Sequence, residues 1–223
     1  MIDQSWIRLI HLISPTLPVG AYTYSQALEW VVERGQVQDE SSAYLWIKDC
    51  LEYGCALFDA VYMAHMMQAW SAQDVALAQH LNEELIASRE SAELRAETLQ
   101  MGLSLRRLLL DLDCFSAQPL QSCEPCSFAL SWSYAAVHWN IDPDQALVGY
   151  LWSWLENQVM AAVKLVPLGQ TTGQSLLVKL GPLLAPLASR ALDTPLSQAT
   201  NYMPGLAIAS CCHETQYTRL FRS

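Results

Sequence analysis

Residues 142–167 read DPDQALVGYLWSWLENQVMAAVKLVP, and this stretch decides the fold class. Asp142 can cap a helix N-terminus, with Pro143 at the first helical position, where its missing N–H costs nothing. Leu147, Tyr150, Leu151, Trp154, Leu155, Val159, Ala162 and Leu165 then recur at helical spacing. Pro167 stops the run, because the residue before a proline is pushed out of the helical region. The result is a long, largely apolar helix whose only charges after Asp144 are Glu156 and Lys164.

The same period extends in both directions. Ile2, Trp6, Leu9, Ile10 and Ile13 predict a first helix that stops at Ser14-Pro15, and residues 15–24 (PTLPVGAYTY) form a Pro/Gly loop. Leu28, Val31 and Val32 resume the pattern until Gly35. Asp39, Ser41 or Ser42 caps a third helix carrying Tyr44 to Tyr62, locally weakened at Gly54. Further helices fit 74–87, 91–110 and 127–139, with a loop at 113–126. A Gly-rich turn (LGQTTGQ) leads into 176–187, and a last helix spans 204–217. No run alternates as a strand would, and no linker or repeat divides the chain. The reading is all-α, one compact multi-helix domain over 1–223, ending in a tail at about 214–223.

Composition narrows the function. Apolar residues make up 52% of the 223 residues and charged ones only 15%, so disorder is excluded. With 22 acidic against 12 basic residues the net charge is −10, which disfavours nucleic acid and anionic membranes as partners. So few charges cover too little surface for a lone monomer, and part of the apolar excess is expected against other chains, a second copy included. Seven cysteines without an export signal predict free thiols and a cytoplasmic protein. No apolar run reads as a membrane span.

Motifs for catalysis are missing from the sequence. There is no phosphate-cradling G-x-x-x-x-G-K-[ST] and no G-x-S-x-G. His213-Glu214 begins like a zinc-protease H-E-x-x-H, but Tyr217 stands where the second histidine is required. The pair Cys123/Cys126 and the cluster Cys211-Cys212-His213 offer soft ligands, leaving a metal site or a metal-dependent enzyme as the alternative reading. As buried small hydrophobes, the same cysteines need no metal. Lys164 also reads two ways: a lysine snorkelling near a helix C-terminus, or a cation placed at an interface.

Three blocks make the sequence specific: SPTLPVGAYTYSQALEW at 14–30, AAVKLVPLGQTTGQ at 161–174, and HETQYTRLFRS at 213–223. In order and over essentially the whole chain, they resemble the UreF family of urease accessory proteins. Departures are mild: Tyr22-Thr23-Tyr24 stands where Phe/Tyr-Ser-Tyr/Trp is common, and Ala27 where glycine is common. The resemblance implies an all-helical, non-enzymatic assembly factor. It implies pairing with UreD (UreH), a homodimer within the complex, recruitment of the GTPase UreG with control of its GTP hydrolysis, and nickel delivery to apo-urease. Nickel would be cargo, with no tightly bound cofactor. The resemblance assigns GTPase coupling to Lys164, Pro167, Gly169 and Gln170. It assigns UreD docking to Tyr217, Arg219, Leu220, Phe221 and Arg222, with the tail free until it docks, and a dimer or partner loop to Pro18, Gly20, Tyr22 and Tyr24.

Overall fold

The computed structural model describes residues 4–112 and 118–223, and among these there is no strand. Helix α1 covers Gln4–Ile13, α2 Leu28–Glu33, α3 Glu40–Asp49, α4 Ala60–Ser71, α5 Val75–Ala87 and α6 Ala92–Asp111. After them come α7 Gln118–Gln121, α8 Phe128–His138, α9 Pro143–Leu165, α10 Gln170–Leu180, α11 Leu184–Asp193 and α12 Pro204–His213. The side chains expected to start helices do so. Asp39 and Ser42 form a reciprocal capping box, and Asp74, Ser91, Ser127 and Asp142 accept bonds from amides of the turns that follow them.

Helix α4 lies at the centre. Its sequence, AVYMAHMMQAWS, is apolar on nearly every face, and α5, α8, α9 and α11 surround it. A helix hydrophobic all round has to be buried on all sides. Helix α8 is similarly enclosed by α4 and α6, with Trp132 wholly buried and its ring edge-on to Tyr150 of α9. The long α9 runs past α1, α4, α10 and α11, which makes it the second axis of the core.

Four expectations change. The third helix runs through Tyr62 as expected, but Cys50–Asp59, which holds the glycine expected to weaken it, is π-helical, and α4 continues to Ser71. Helix α10 starts at Gln170, inside the stretch expected to be a turn. The reason is tertiary: a Cβ at Gly173 would sit 2.7 Å from Val163 Cγ2, so glycine lets α10 close on α9. Helix α12 ends at His213 instead of 217, and 214–223 runs on without helix. The loop expected at 113–126 contains α7 at its centre, and residues 113–117 lie outside the described part. By composition Gln170–Asp193 is long and apolar enough to cross a membrane, but Gly181–Leu183 breaks it and both halves pack on α9.

Candidate partner-binding site

The segment 23–25, at the end of the Pro/Gly loop, closes on the C-terminal tail. The Arg222 amide donates to the Thr23 carbonyl at 2.8 Å. Both the amide and the hydroxyl of Ser25 donate to the Ser223 carbonyl, at 2.8 and 2.6 Å. The Pro/Gly loop is therefore paired with the tail, and the expectation of a free tail is corrected. Phe221 is 6% exposed and Ser223 1%, so burial of the phenyl ring alone supplies about 1.5–3 kcal/mol toward docking.

Glutamates from α2 and α6 hold this tail. Glu29, itself buried on α2, accepts the Leu220 amide on one oxygen at 2.6 Å and the Phe221 amide on the other at 2.9 Å. Glu93 pairs with Arg219, and Glu97 accepts the Ser223 hydroxyl at 2.7 Å. Gln26 also donates to Glu97, at 2.8 Å. Burial pushes the Glu97 carboxyl above its ordinary range, and these two hydrogen bonds pull it partly back. Between the first two carboxylates lies His213, fully buried, with Nδ1 2.6 Å from Glu93 and Nε2 3.3 Å from Glu29. Its neighbour Glu214 accepts the Ala92 amide at 2.7 Å, adding to the cap of α6. The His-Glu pair that resembles half a protease motif thus ties α12 to α2 and α6.

The sequence-predicted residues divide as follows. Lys164, Pro167, Gly169 and Gln170 are all exposed at the α9–α10 junction, and the Lys164 ammonium lies over the Phe221 ring at 5.6 Å. In the tail Tyr217 and Leu220 are exposed, Arg219 and Arg222 are partly engaged, and Phe221 faces inward. In the loop, Pro18 and Tyr22 are exposed and Gly20 takes a left-handed φ of 79°. Tyr24 is buried, its hydroxyl donating to Gln100 at 2.9 Å; burial and then the Glu97 charge raise its pKa. Behind the loop a cavity of about 330 Å³ reaches Trp132, Trp154 and the ion pair of Asp59 with Arg89.

Of the soft-ligand residues, only His213 takes part in these contacts. Cys123 and Cys126 are buried thiols, and desolvation pushes the second up to about 11. Cys211 is exposed, whereas His213 is occupied by two glutamates. Among the described residues no group of three or more His, Cys, Asp or Glu is arranged to hold a metal ion. The residues that sequence reasoning missed are Glu29, Glu93 and Glu97. Their only signal was acidic side chains interrupting apolar helical patterns, Glu29 inside the first resembling block.

A family model for UreF matches residues 37–181. The urease accessory protein UreF of Azoarcus sp. (strain BH72) is 55% identical over 222 residues, covering 97% of this chain and 95% of that protein. That of Dechloromonas aromatica (strain RCB) is 53% identical over 220 residues, covering 97% and 96%. A more divergent relative from Methylobacillus flagellatus is 43% identical and covers 99% of both chains. These relatives are urease accessory proteins. The chain belongs to the UreF family.

Proposed function

We propose that this chain is a non-enzymatic assembly factor, which in the cytoplasm forms a complex with UreD and, as a homodimer there, recruits the GTPase UreG. The complex delivers nickel into apo-urease, and this chain governs when UreG hydrolyses GTP. Nickel is the cargo of the assembly, and the chain itself holds no metal tightly. The observation that carries the reading is the meeting of two motif blocks: Lys164, assigned to GTPase coupling, covers Phe221 of the tail assigned to UreD. In the same tail, Tyr217 is exposed beside Arg219 and Arg222, and tyrosine and arginine are the residue types enriched in binding hot spots.

The test is reconstitution of urease from its apo form with UreD, UreG, nickel and GTP, with and without this chain. Nickel content of urease and GTP turnover by UreG are followed together. The reading expects nickel loading to require the chain and GTP turnover to change in its presence. Equal loading without it would overturn the reading.

A further inference from the structure

The tail surface rests on a buried relay that no family motif assigns: Glu29 on α2, His213 at the end of α12 and Glu93 on α6. We propose that Glu29, His213 and Glu93 are positioning residues, a clasp that sets the tail in the conformation a partner protein reads. The inference rests on the reading of the tail as a docking element.

The geometry supports a clasp over simple packing. Glu29 binds two successive tail amides, one per oxygen, a grip on the backbone that is indifferent to which side chains the tail carries. It fixes Leu220 and Phe221 so that Phe221 turns inward beneath Lys164 and Leu220 turns out. Glu93 takes Arg219, the side chain just before them. His213 touches both glutamates, so neither carboxylate can swing away from the tail without losing it. Charge-assisted hydrogen bonds of this kind are about twice as strong as neutral ones, and removing one partner strands the other. The core helices α4, α8 and α9 take no part in the relay.

The experiment uses the full chain and its Glu29→Gln variant, with Glu93→Gln as a second variant of nearly the same shape. Hydrogen exchange is read separately for the tail, 217–223, and for α8 and α9. UreD capture is measured on the same samples. The clasp predicts at least tenfold faster exchange at Leu220 and Phe221, unchanged exchange in α8 and α9, and at least tenfold weaker capture. In a chain already lacking 217–223, Glu29→Gln should reduce capture no further. Unchanged tail exchange in both variants would overturn the clasp. A tail that is freed while UreD is captured equally would instead overturn the docking reading, and with it any role of the clasp in recognition.

Discussion

The Lys164 ammonium lies 5.6 Å from the centroid of the Phe221 ring, joining residues from two separate blocks of the sequence. An exposed cation–π contact contributes about 0.5–1 kcal/mol, too little to hold a fold together. Lys164→Ala should therefore lower stability by no more than that in urea unfolding, while nickel loading of urease falls. Normal loading in the folded variant would leave Lys164 as a cover for Phe221 and nothing more.

Ala27 is buried with φ 66°, and Gln26 before it has φ 51°. For a residue with a Cβ this left-handed conformation costs about 1 kcal/mol, which glycine avoids. Ala27→Gly should leave the loop-to-α2 turn intact and raise stability by about 0.5–1 kcal/mol, read as a higher urea midpoint at unchanged slope. A drop larger than 1 kcal/mol would mean that the buried methyl matters more than the backbone.

Gly102 shows the opposite constraint. A Cβ there would fall 2.2 Å from the Cys126 carbonyl oxygen and 2.4 Å from the Ser127 carbonyl carbon, both backbone. The α6–α8 approach depends on that missing atom. Gly102→Ala should cost about 1–3 kcal/mol or more as the segment before α8 is pushed away. A thermal midpoint equal to the parent's would contradict the close packing.

Glu97 makes stability depend on pH. Its carboxyl is raised by burial above the ordinary 4.5, so the folded chain binds this proton more tightly than the unfolded chain. Stability from this group is then greatest at low pH and falls as pH rises from 4.5 through the raised value. Glu97→Gln keeps an oxygen for the Ser223 hydroxyl and removes the charge. The parent should lose stability relative to this variant over that window, measured by urea unfolding at stepped pH. Parallel curves would show that Glu97 does not titrate differently on folding.

Much of the fold was legible because its signals were local. The Asp142-Pro143 start and Pro167 stop bracket α9 to within two residues, whereas the central place of α4 went unread, because the pattern was followed only to Tyr62. The start of α10 was not legible, since Thr171, Thr172 and Gly173 are poor helix formers whose helix depends on contact with α9. The π segment is hidden for a similar reason: its ten residues suit an α-helix equally well. In the site, Lys164 and the tail stood out by composition. The clasp did not, because His213 and Glu29 are 184 positions apart and no periodicity connects them.

In the proposed function this chain joins UreD and UreG through its tail surface. Native mass measurement of the complex isolated after co-expression of all three proteins tests it most directly, with the full chain beside one lacking 217–223. The expected result is a stable assembly containing two copies of the full chain together with UreD and UreG, and a shortened chain recovered folded but without UreD. Recovery of the same assembly with the shortened chain, or a full chain found alone, would contradict it.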